Sequence, residues 1–127
     1  MARDFKNIKA WKFADDLTIS VYSHTKSFPR EELYGITSQL RRAVMSVPTN
    51  IAEGAGREHK REYLNFLYIA RGSLAEVEYL LHLAERLGYL KQTNYQKAEA
   101  MRTEAAKTLH GLINSVKQET QDSANMP

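Results

Sequence analysis

The sequence predicts an all-α protein, an antiparallel up-down-up-down four-helix bundle. Three observations lead there. Apolar residues recur at alternating spacings of three and four, as in Leu33, Ile36, Leu40, Ala43 and Val47, which lays a single seam along a helix. Almost no segment shows the two-residue alternation of a strand. The six glycines and three prolines among 127 residues fall mostly at joints between the periodic stretches. A chain of this length suits one domain with one core, here residues 1–120, followed by a disordered tail over 121–127.

The first helix is expected near 6–26, with Trp11, Ala14, Leu17, Val21 and Tyr22 on one face and Ile8 and Ile19 projecting to the side. Ser27-Phe28-Pro29-Arg30-Glu31-Glu32 breaks it and opens a second helix near 31–54, whose first-turn glutamates suit the N-terminal end of the helix dipole. Gly54-Ala55-Gly56-Arg57 supplies a glycine for the left-handed turn that ends a helix. The third helix, near 60–87, carries Tyr63, Leu67, Ala70, Leu74, Val77, Leu81 and Ala84 in its seam, with Gly88 as its C-terminal cap. Thr93 offers an N-cap for a fourth helix near 92–118, where the seam is weaker and includes Arg102. Connections this short favour antiparallel neighbours.

Two helices carry more apolar surface than one bundle seam uses. Ile8 and Ile19 stand aside from the first helix's main face, and the third has a second stripe of Phe66, Ile69, Leu80, Leu83 and Leu87. Such a surplus points to self-association, with Ile8, Ile19, Phe66, Ile69, Leu80 and Leu83 as candidate interface residues.

The second helix also holds polar groups where a plain bundle would not. Arg42, Ser46, Asn50 and Glu53 follow at spacings of four, four and three, and Pro48 removes the hydrogen bond to the carbonyl of Val44 and should bend the helix. An unpaired amide in the seam would cost on the order of 1–3 kcal/mol, so Asn50 requires partners. The expected solution is a buried network of Gln39, Arg42, Ser46, Asn50 and Glu53 with Ser73 and Glu76 of the third helix, Gly72 permitting close approach. Such a network fixes register; a small polar site is the functional alternative.

The net charge of +3 alone does not identify a partner. Its distribution is more informative: Arg57, His59, Lys60 and Arg61 cluster at one joint, suited to phosphate contacts with little sequence preference. The absence of cysteine excludes disulfides, thiolate metal sites and cysteine nucleophiles. No stretch approaches the ~20 apolar residues of a membrane span, and the N-terminus lacks a secretory signal, so a cytoplasmic protein without a membrane partner is expected. The four histidines lack the Glu-x-x-His spacing of a di-iron bundle, and Gly54-Ala55-Gly56 does not open a dinucleotide fingerprint. Neither a catalytic residue, a metal nor a cofactor is expected.

The runs Tyr34-Gly35-Ile36-Thr37-Ser38-Gln39-Leu40-Arg41-Arg42-Ala43, Asn50-Ile51-Ala52-Glu53-Gly54 and Phe66-Leu67-Tyr68-Ile69-Ala70-Arg71-Gly72-Ser73, with Glu76, resemble the four-helix bundle proteins encoded in bacterial 23S rRNA intervening sequences. The resemblance implies a homopentameric ring. It also implies similarity in fold to accessory proteins of diversity-generating retroelements, which associate with a reverse transcriptase and bind nucleic acid. The expected function is that of a non-enzymatic homo-oligomer presenting its basic ends to RNA or to a nucleic-acid-processing protein. The alternative is a protein–protein scaffold in which the basic cluster meets the acidic third helix of a neighbour near Glu78 and Glu85. A hydrolytic or nucleotide site around Arg42, Asn50 and Glu53 is the third reading.

Overall fold

A computed structural model describes residues 3–124 and contains four helices: α1 (Lys9–Thr25), α2 (Ile36–Ala55), α3 (Lys60–Arg86) and α4 (Gln92–Ala124). Each packs on its neighbours in sequence, and α4 closes the square against α1. The ends establish the direction of each helix. At one end, the Arg3 N–H donates to the carbonyl of Ala55 at 2.9 Å, the Arg3 guanidinium pairs with Glu119, and Lys60 Nζ approaches Ser123 Oγ at 3.5 Å. At the other, Tyr89 Oη donates to Glu32 at 2.8 Å and the Tyr89 ring packs on Phe28. This is the up-down-up-down bundle expected from the short joints. No helix among the described residues is long and apolar enough to cross a membrane.

The seams meet in one core. Leu17 and Val21 of α1, Leu40, Val44, Val47 and Ile51 of α2, Leu67, Val77 and Leu81 of α3, and Leu109, Ile113 and Val116 of α4 are all buried. The expected surplus is partly absorbed there. Leu80 is only 5% exposed and Leu83 packs half-buried on the core, so α3 buries a stripe wider than one seam; Ile8, just before α1, is half-buried there too. Phe66 is half-buried as well, under the guanidinium of Arg57. Ile19 (66% exposed), Ile69 (52%) and Tyr79 (59%) stay outside, as does Leu87.

Pro48 lies inside α2, which continues past it to Ala55. The carbonyl of Val44, which loses its usual donor to the proline, instead lies 3.2 Å from the Thr18 hydroxyl of α1; that hydroxyl is also 2.8 Å from the carbonyl of Ala14. A neighbouring side chain thus shares its one hydroxyl hydrogen between Ala14 and the carbonyl that the proline deprives of a donor.

Several boundaries differ from expectation. Residues Arg30–Glu32 form a separate 3-10 turn, and α2 begins only after Gly35, leaving Leu33 and Tyr34 exposed outside the helix. Gly54 does not end α2 but sits within it. A Cβ there would lie 2.8 Å from both Phe66 Cβ and Tyr63 Cδ1, so this glycine allows α2 and α3 to approach closely. Thr93 lies in the first turn of α4, which starts at Gln92, rather than capping it. Gly88 behaves as expected: φ is +79°, and the N–H of Tyr89 donates back to the carbonyl of Ala84 at 2.9 Å. Helix α4 continues through Gln121 to Ala124, beyond the point where the tail was expected; residues 125–127 lie outside the described residues.

Replacing Gly54 with alanine should destabilise the bundle by on the order of 1–3 kcal/mol in urea unfolding, since the methyl group overlaps Phe66 Cβ and the edge of the Tyr63 ring. An unchanged midpoint would show that the helices are not in contact there. The hydrogen bond to Glu32 raises the Tyr89 hydroxyl above its ordinary pKa of 10.0, because ionisation would end the donation and set two negative charges together. The stability it contributes is therefore complete below about pH 10 and is lost as pH rises through the raised folded value. Tyr63 is raised chiefly by burial and acts with the same sign. Tyr89→Phe should weaken the alkaline loss of stability without abolishing it; identical alkaline unfolding profiles would rule out the Tyr89–Glu32 link.

Candidate functional site

Two surfaces bring the candidate residues together. The first is a groove of about 200 Å³ between α2 and α3, lined by Gln39, Arg42, Ser46, Ser73 and Glu76. At its base Asn50 Nδ2 donates to the carbonyl of Ser46 at 2.7 Å and approaches its hydroxyl at 2.9 Å, while Ser73 Oγ donates to Ser46 Oγ at 2.9 Å. Ser46, Asn50 and Ser73 are half-buried, and this chain joins the two helices.

The larger network that the helical spacing suggested does not form. Gln39, Arg42, Glu53 and Glu76 are exposed, because long side chains on a shared face can keep their polar ends in water. Arg42 and Glu76 face the same groove yet form no ion pair with each other or with any group among the described residues. Glu53 belongs to a different groove, between α1 and α2, with Trp11, Asp15 and Pro48. Glu53 and Glu76 are therefore not assembled as an acid–base pair. Gly72 is exposed, and a Cβ on it would meet nothing within 4 Å, so the close approach expected there occurs at Gly54 instead.

The second surface is the basic end formed by the α2–α3 joint and the last turns of α4. His59, Lys60 and Arg61 line an open groove of about 560 Å³ with Glu58, Thr120 and Ser123. Lys60 reaches only the Ser123 hydroxyl, and Arg61 has no carboxylate partner among the described residues. Arg57 is more constrained: its guanidinium lies 4.9 Å above the Phe66 ring, and its Nη1 is 4.0 Å from Glu62. Arg3, at the same end, is already engaged: it is bonded to Glu119 and stacked 4.8 Å over Tyr63.

On the far side of α3, Arg102 of α4 is nearly enclosed, with a side chain 12% exposed, and pairs with Glu99 and with Glu78 at 3.0 Å. Its hydrogen bond to Glu99 raises its pKa, favouring the charged form of the half-buried guanidinium. This ion cluster accounts for the charge in the weakest seam. It also occupies Glu78, one of the two carboxylates that a neighbouring basic cluster was expected to meet.

A family model described as 23S rRNA-intervening sequence protein matches residues 6–111. Among solved structures, a protein of unknown function from the S23 ribosomal protein family of Bacteroides thetaiotaomicron is similar in fold. Its TM-score is 0.77 at 24% identity, over 83% of this chain and 95% of that one. No curated protein matches the chain.

Ser46 is the shared member of the polar chain across α2 and α3. Ser46→Ala should cost about 1 kcal/mol, and in a double-mutant cycle with Ser73→Ala the two losses should fall short of additive. Strict additivity would show that the two hydroxyls do not interact.

Proposed function

The chain belongs to the 23S rRNA-intervening sequence protein family, and from that premise we propose that it is a non-enzymatic, self-associating bundle that binds RNA through its basic ends. The observation that carries the reading is the placement of apolar surface left uncovered by a single chain. Positions 69, 72, 76, 79, 83 and 87 follow at spacings of three and four along α3, so exposed Ile69, Tyr79 and Leu87 share a side with open Gly72. Ile19 is exposed on α1, the helix diagonal to α3 in the square. An apolar stripe on α3 and an exposed isoleucine on the opposite side suit head-to-tail contacts, which form a ring where the rotation between subunits closes, better than a two-fold dimer built from one patch. The family resemblance implies five copies.

A ring would repeat the groove of His59, Lys60 and Arg61 in every subunit. Each copy offers few phosphate contacts; several copies acting on one RNA raise avidity without new contacts. The setting consistent with this reading is the cytoplasm. The scaffold alternative retains Glu85 as a carboxylate for a neighbour's basic end, whereas Glu78 is already paired with Arg102.

Ile19→Glu and Ile69→Glu should each reduce the assembly to monomers in light scattering while leaving helical circular dichroism unchanged. Mixed together, the two variants retain one intact copy of each patch and should form only a heterodimer. Wild-type protein that is monomeric at micromolar concentration would refute self-association. For RNA, Lys60→Ala with Arg61→Ala should weaken binding and flatten its salt dependence, by a slope of roughly 0.7 per lost phosphate contact on a single strand. Wild-type binding that is absent or independent of salt would refute the RNA role and leave the scaffold.

A further inference from the structure

At the end of the bundle opposite the basic groove, the α1–α2 corner encloses a pocket of about 210 Å³ whose lining includes Thr25, Lys26, Phe28, Arg30, Thr37 and Arg41. Three of these six are cations, and the pocket wall contains no carboxylate. Among the described residues, none of Lys26, Arg30 and Arg41 forms an ion pair. Arg41 is held in place from two sides: its Nε donates to Thr25 Oγ1 at 2.8 Å, and its guanidinium lies 4.9 Å over the Tyr22 ring. Its terminal nitrogens have no acceptor among the described residues, so a planar two-pronged donor stands ready at the pocket.

Thr37 supplies the second, independent observation. It is only 3% exposed, yet its hydroxyl has no hydrogen-bond partner. Folding removes this group from water without replacing the lost bonds, which is unfavourable unless something enters the pocket to meet it. Thr37 also lies in the first turn of α2, an end with no side-chain cap, where the helix dipole and unengaged N–H groups favour negative charge.

We propose that this corner binds the phosphate group of a phosphate monoester, with Arg41 and the Thr37 hydroxyl donating to its oxygens, Lys26 and Arg30 neutralising its charge, and Phe28 covering the apolar part of the ester. The volume accommodates a tetrahedral oxyanion and a small substituent. The monoester has two available sources, a free nucleotide or the 5′ end of an RNA, and both present the same chemistry. The site is separate from the basic groove at the other end and does not depend on it.

Amide chemical shifts of the full chain, followed during titration with a nucleoside 5′-monophosphate, provide the test. Saturable shifts should appear at Ile36, Thr37 and Ser38, and the parent nucleoside should produce none. Thr37→Val keeps the shape and removes the hydroxyl, so binding should weaken by about tenfold. Its melting temperature without ligand should be unchanged or higher, because a buried unpaired hydroxyl has been removed. Arg41→Gln should weaken binding as well, providing a second variant. A 5′-phosphorylated oligoribonucleotide that binds more tightly than the mononucleotide would assign the phosphate to an RNA end; equal binding would assign it to a free ester. Absence of saturable shifts at these amides with millimolar ligand, or wild-type affinity in Thr37→Val, would overturn the proposal.

Discussion

The close packing of α2 on α3 is the constraint from which the rest of the structure follows. Gly54 lets the helices meet against Tyr63 and Phe66. Higher up, the Asn50–Ser46–Ser73 chain holds their relative register through hydrogen bonds, whose geometry tolerates less sliding than apolar contact does. With α2 and α3 set, the short joints bring α1 and α4 alongside, and Thr18 of α1 meets the carbonyl that Pro48 would leave short of a donor. A helix containing proline can therefore sit in the centre of the core.

This packing also determines what remains outside. Turning α3 so that Leu67, Leu74 and Leu81 face inward leaves Ile69, Tyr79 and Leu87 on the surface, together with a glycine that no part of the chain approaches. A glycine within a helix is unfavourable relative to alanine by roughly 1 kcal/mol, so an open Gly72 has no benefit within one subunit. A close neighbour from a second subunit would give it one. The exposed polar residues beside it, Arg42 and Glu76, face the same groove without pairing and so remain free for a partner.

Much of the fold was legible in the residues. The three-and-four spacing located all four helices, and the glycine at position 88 marked the end of α3, where the structure has a positive φ. Less was legible about the site, and for a physical reason. Helical spacing shows which residues share a face but not which neighbouring helix that face meets. Arg42, Ser46, Asn50 and Glu53 do share a face, yet it borders two grooves: Arg42 and Ser46 line one and Glu53 the other. Glycine is ambiguous in the same way, since it serves close packing, a turn or an open surface equally well. Gly54 therefore takes the close-packing role expected of Gly72, and Gly72 stands open within α3. The pairing of Arg41 with Thr25 and Tyr22, and the isolation of Thr37, depend on a corner whose shape is set by the 3-10 turn at Arg30–Glu32, and no spacing rule anticipates it.

The mass of the native particle tests most directly whether other copies cover the apolar helix surface that one copy of this chain leaves exposed. Native mass spectrometry of the full chain, with and without RNA, should show a single closed oligomer, five subunits if the family resemblance holds, that gains the mass of bound RNA without changing its subunit number. A particle of one subunit under both conditions would contradict self-association.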